Sequence, residues 1–101
     1  MSVDAVFSAL ADPTRRQIVE LLAGGGTLTP TALAGDMPIT RQAVAKHLDA
    51  LGAAGLVSHR RVGRETRYRL TPEPLRDAAG WIAAVGSEWD ERLARLEKLL
   101  Q

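Results

Sequence analysis

Residues 40–57 read TRQAVAKHLDALGAAGLV. Thr40 suits the cap of a helix, because its hydroxyl can accept a first-turn amide that has no partner inside the helix. Val44, Leu48 and Leu51 follow at i, i+4 and i+7, which places them on one helical face. Gly52 and Gly55 suit the other end, where a left-handed residue often closes a helix. The spacing therefore predicts a helix over about 40–53. Arg41, Gln42 and Lys46 crowd the end where it starts, with no obvious core to join.

Upstream, VDAVFSAL (3–10) carries Val3, Val6, Phe7 and Leu10 at helical spacing. Asp12-Pro13 then offers a cap followed by a first-turn proline, whose missing amide costs nothing there. The next helix, PTRRQIVELL, turns Ile18, Val19, Leu21 and Leu22 inward and stops at Gly24-Gly25-Gly26. Thr27-Leu28 suggests a short strand. Thr29-Pro30 repeats the cap-then-proline signal ahead of a short helix, PTALAGDM, anchored by Leu33. A tight turn, MPIT, leads back to Thr40.

Downstream of Gly55 the period changes. LVSHRRV and TRYRL are short, β-branched and partly alternating, with GRE between them, and read as a β-hairpin over about 56–71. Tyr68 and Leu70 alternate with Arg67 and Arg69, so one face is apolar and the other cationic. Pro72 and Pro74 introduce a last helix over about 73–100. Within it Leu75, Ala79, Ile82, Gly86, Trp89, Leu93, Leu96 and Leu100 make a heptad-like seam, widened by Trp81 and Val85. The expected fold is mainly α with a small β-hairpin: a single winged helix-turn-helix domain over 1–101, ending in a long dimerisation helix.

In a helix-turn-helix the second helix enters the major groove and its first residues meet base edges. Arg41, Gln42, Ala45 and Lys46 are expected on the face opposite Val44, Leu48 and Leu51. Arg can bond guanine bidentately and Gln can bond adenine, while Ala45 permits close approach to a thymine methyl. Thr40 caps the helix, whose free first-turn amides favour phosphate. Arg60, Arg61, Arg64 and Arg67 are expected near the hairpin tip, against flanking phosphates or a minor groove. Charge agrees. The chain is nearly neutral at +1, yet residues 41–70 hold seven basic and two acidic residues, a net of +5. By charge alone this suggests an anionic partner or merely a solvated Arg-rich hairpin; with the start of the helix added, double-stranded DNA is the expected partner.

ALADPTRRQIVELL, ITRQAVAKHLDALGAAGLV and GRETRYRL together resemble the ArsR/SmtB family of bacterial winged-helix repressors, over about residues 4–71. The resemblance implies a homodimer with the first and last helices at its interface. It also implies an inverted-repeat operator and repression of a short operon, with Arg41, Gln42, Ala45 and Lys46 facing the groove. The interface residues expected are Val3, Phe7, Leu10, Trp81, Ile82, Trp89, Leu93 and Leu96.

Many members of that family release DNA on binding a metal, through cysteines on the helix before the recognition helix or through histidines and carboxylates on the last helix. This sequence departs from both patterns. It has no Cys, and its two histidines are His47, in the recognition helix, and His59, in the hairpin. A transition-metal site wants several imidazoles or thiolates converging on one point. His47 is instead expected to support the recognition helix as one of its DNA-binding residues, and His59 to lie by the DNA. Asp77, Glu88, Asp90 and Glu91 remain as a polar helix face. The WDERLARLEKLL ending resembles a metal-free branch of the family; no metal and no cofactor is expected, and no small-molecule effector is identified.

The competing readings are weaker. A winged helix docking its basic hairpin on an acidic protein leaves Arg41 and Gln42 without a purpose. An enzyme needs a nucleophile or acid–base pair in a pocket, and neither a Cys nor a triad-like grouping of the histidines is present. MSVDAVFSALADP shows neither the basic start nor the cleavage site of a signal peptide. There is no apolar run long enough for a membrane, so the cytoplasm is the expected location.

Overall fold

The structure, a computed structural model, describes residues 2–100. The elements are α1 (Val3–Leu10), α2 (Pro13–Leu22), α3 (Pro30–Gly35), α4 (Arg41–Ala53), β1 (Val57–Val62), β2 (Glu65–Leu70) and α5 (Glu73–Leu99). Each of the first four helices starts at a side-chain cap. Ser2 accepts from the Ala5 amide, Asp12 from Thr14 and Arg15, Thr29 from Ala32, and Thr40 from Ala43. Arg16 donates back to the Leu10 and Ala11 carbonyls and Arg15 to that of Ala9, so α2 also closes the end of α1.

The inner faces of these helices meet in one core. Val44, Leu48 and Leu51 of α4 are each 0 % exposed, as are Ile18 of α2, Leu33 of α3 and Leu56 at the start of the hairpin. The apolar period read in 40–57 is thus the face that fixes α4 against α2 and α3.

α4 ends at Ala53 and is closed by Gly55, whereas Gly52 lies inside the helix. Gly55 takes φ +76°. Its amide donates to the Gly52 carbonyl at 3.0 Å and the Leu56 amide to Leu51 at 2.9 Å. This paired closure brings Leu56 back over Leu51 and turns the chain into β1. α3 also stops earlier than expected, at Gly35, because Gly and Asp36 are poor helix formers and Asp36 has left helical geometry.

β1 and β2 pair antiparallel, from Val57 opposite Leu70 to Val62 opposite Glu65. Gly63 and Arg64 form the two-residue turn. Gly63 has φ +63° and no residue other than glycine has positive φ among the described residues, the pattern of a type II′ turn. The strand expected at Thr27-Leu28 reduces to a single bridge. Leu28 and Tyr68 exchange both backbone hydrogen bonds, at 3.0 and 2.9 Å. β2 is therefore the middle strand and β1 the edge, blunted by His59, Arg60 and Arg61.

α5 runs for 27 residues, about 40 Å at 1.5 Å per residue. Pro74 and Ala78 are its buried residues, and Leu75 packs beside them. The small Pro74 and Ala78 thus face the core, and Ala79, next along the heptad-like seam after Leu75, is exposed. Phe7 meets Trp81 edge-on at 5.6 Å, and from residue 79 onward every described residue of α5 is exposed. No helix among the described residues is long and apolar enough to cross a membrane.

The caps carry a first expected result. Thr40→Ala removes the acceptor for the Ala43 amide, at 3.1 Å, and should lower stability by about 1 kcal/mol in urea unfolding, with Thr40→Ser close to wild type. An unchanged midpoint for Thr40→Ala would show that the cap is not what starts α4.

Candidate nucleic-acid interface

Three elements converge on one side of the molecule: the start of α4, the start of α3 and the hairpin. Arg41, Gln42 and Lys46 are exposed there, and Ala45 is half-buried. At about 100° per residue, the outermost stripe of α4 runs through Gln42, Lys46 and Asp49. Arg41 and Ala45 lie on the shoulder toward the hairpin rather than opposite the core. Arg41 lines an open hollow with Thr29, Thr31, Arg61, Arg64 and Thr66. Ala45 adds no bulk beside it.

The hairpin arginines do not form one cluster. The pairing sets Arg61 opposite Thr66 on the face that carries Tyr68, and sets Arg60 opposite Arg67 on the other. Arg61 and Arg64 therefore face the Arg41 hollow, and the Arg61 Nε donates to the Gly63 carbonyl at 3.1 Å. Arg60, Arg67 and Arg69 share the outer face with Ser58 and Thr27. Arg67 is already engaged, with Glu65 at 2.9 Å and Thr27 at 3.4 Å. Arg41, Lys46, Arg60 and Arg64 have no ion pair among the described residues.

The two histidines stand apart. His47 is half-buried and lies near Asp12 at the start of α2. Partial burial pushes the Asp12 carboxyl up, but the Arg15 and Thr14 amides, with the His47 and Arg15 charges, outweigh it and hold it below the usual carboxylate range. His59 sits on the hairpin and leans on Tyr68 at 5.1 Å. Tyr68 is raised above the ordinary phenol range, first by burial and then by the Asp49 carboxylate. No group of three or more potential metal-ligating side chains occurs among the described residues.

Asp49 is the residue the sequence reading passed over. It lies at i+7 from Gln42 and i+3 from Lys46, so the spacing alone could have found it. The apolar surface expected at an interface divides in two. Val3, Phe7 and Leu10 are half-buried against the protein's own core. Trp81, Ile82, Trp89, Leu93 and Leu96 are 53, 56, 59, 40 and 52 % exposed along the free length of α5.

Comparison with known proteins places this geometry. A helix-turn-helix domain family matches residues 10–60. The HTH-type transcriptional regulator YuzN of Bacillus subtilis is 43 % identical over 78 % of the chain and 94 % of its own length. The transcriptional repressor SdpR of the same organism is 36 % identical over 76 % of the chain and 84 % of its own length. Among solved structures, an ArsR-like transcriptional regulator from Rhodococcus superposes with a TM-score of 0.81 at 43 % identity, covering 96 % of this chain and 91 % of its own. A homodimeric winged helix-turn-helix DNA-binding domain from Mycobacterium bovis gives 0.66 at 36 %, covering 90 % and 81 %.

Proposed function

As the chain belongs to the ArsR family of winged helix-turn-helix transcriptional regulators, we propose that it is a homodimeric repressor holding an inverted-repeat operator with two copies of α4, without a metal switch. The observation that carries the DNA reading is the start of α4. There Arg41, Gln42 and Lys46 are exposed beside the unpaired Arg64, next to a capped helix end whose remaining amides favour phosphate. Gln42 and Lys46 meet base edges and Arg41 reaches the edge from the hairpin side. Arg61 and Arg64 hold the backbone beyond the groove. Arg60 and Arg67 face outward and contribute mainly general attraction, and His59 lines the hairpin's inner side.

The dimer reading rests on α5. A stripe of two tryptophans and several aliphatic residues left in water is an unfavourable surface for a chain of 101 residues. A second copy covers it by self-matching about a two-fold axis. That axis gives the DNA-binding surface two α4 helices, and two-fold symmetry in the protein asks for two-fold symmetry in the operator. The repressor reading draws on SdpR, and the homodimer on the Mycobacterium bovis domain. Selection of bound sequences from a random duplex pool tests the whole reading. Enrichment of an inverted repeat, with half-site centres about one helical turn or a multiple apart, supports it; no enrichment overturns it.

The donor set does not fit a family metal site. There is no Cys in the chain, and His47 and His59 lie on different elements facing different neighbours. The carboxylates of α5 have no imidazole to join them. Micromolar zinc, nickel, cobalt or copper should leave the protein–operator affinity unchanged against a chelator control. Release by one of these ions, abolished by His47→Ala or His59→Ala, would overturn the metal-free reading.

A further inference from the structure

The outward stripe of α4 ends in an acid. Asp49 is exposed, and it has neither a hydrogen bond nor an ion pair among the described residues. Lys46, one turn earlier, does not bridge to it. Residues 41–70 contain two acids against seven basic residues. Glu65 is taken up by Arg67 at 2.9 Å, so Asp49 is the one unpaired carboxylate in the surface that would meet DNA. Against phosphates such a charge is a loss. A carboxylate has only acceptors to offer, and the donors a groove presents to it are exocyclic amines. Adenine sets an acceptor, N7, beside its amine and suits an amide; cytosine offers its N4 amine without that neighbour.

We infer that Asp49 reads sequence, its carboxylate accepting a hydrogen bond from the N4 amine of a cytosine in each half-site. The inference rests on the DNA-binding reading above and deepens it. Seven residues separate Asp49 from Gln42, a rise of about 10.5 Å along the helix. Asp49 therefore meets a base pair beyond the one met by Gln42, toward the hairpin base where Ser58, His59 and Tyr68 line the same hollow. His59, Tyr68 and Lys46 are the titratable or charged neighbours facing that position. None is bonded to the carboxylate, which leaves it free to accept from a base.

The test uses the operator found by selection, changed one base pair at a time, with wild type, Asp49→Asn and Asp49→Ala. Both substitutions are at an exposed site, and equal melting temperatures confirm the fold. Wild type should lose roughly 5- to 150-fold in affinity when one C·G pair in each half-site is changed. Asp49→Ala should no longer discriminate at that pair, while keeping its discrimination at the pairs met by Arg41 and Gln42. Asp49→Asn should shift the preference there toward A·T. Equal discrimination by all three proteins at every position, with both variants binding every duplex more tightly by one common factor, would show simple repulsion and overturn the assignment. Wild type that discriminates at no position would overturn the DNA reading and this inference together.

Discussion

Replacing Leu93 and Leu96 together with Asp should reduce the protein to single chains and abolish operator binding. Both side chains are exposed in the isolated protomer, at 40 and 52 %, and neither belongs to the core around Ile18, Leu33 and Leu48. The winged-helix part should therefore keep its fold. In the proposed dimer the same positions form part of the seam. Fully burying a Leu side chain is worth roughly 1.5–3 kcal/mol, and the two-fold axis places each change in the interface twice. The substitution removes four apolar contacts and puts four carboxylates where charge has no partner, so the loss should reach several kcal/mol. Light scattering after gel filtration reads the mass, and circular dichroism reads the helix content. A variant that remains dimeric and binds DNA would show that α5 is not the interface.

Arg41→Ala should weaken binding to the selected operator by about 1–3 kcal/mol and relax the preference at one base pair in each half-site. Arg64→Ala, at the hairpin turn, should weaken selected and random duplexes alike and reduce the slope of affinity against salt. The contrast follows from placement. Arg41 springs from the first turn of α4 at the shoulder of the outward stripe, whereas Arg64 stands on a turn across the hollow from it. Equal losses on both kinds of DNA for Arg41→Ala would make it a backbone contact like Arg64.

The elements were legible because the chain announces them locally. Asp12-Pro13, Thr29-Pro30 and Thr40 each start a helix, and all three side chains accept first-turn amides in the structure. Val44, Leu48 and Leu51 fixed the inner face of α4 through their spacing. What stayed hidden depends on how elements meet. Gly52 reads as a helix end until the Gly55 and Leu56 amides are seen to close the helix one turn later. Pro74 and Ala78 carry little apolar bulk, so the sequence pattern does not mark them as the contact of α5 with the core. The division of Arg61 from Arg60 and Arg67 is a matter of strand register, which the tip sequence alone leaves open. Asp49 is legible in the sequence only as one of the two acids in the charge of residues 41–70, because a DNA-facing surface is marked first by its basic residues.

Two chains are expected to act as one reader of a two-fold site. Sedimentation of wild type at micromolar concentration, alone and with its selected duplex, tests this most directly. The expected result is a species of about twice the 10.9 kDa chain mass and two chains per inverted repeat. A single species at the mass of one chain, binding an isolated half-site as tightly as the full repeat, would contradict it.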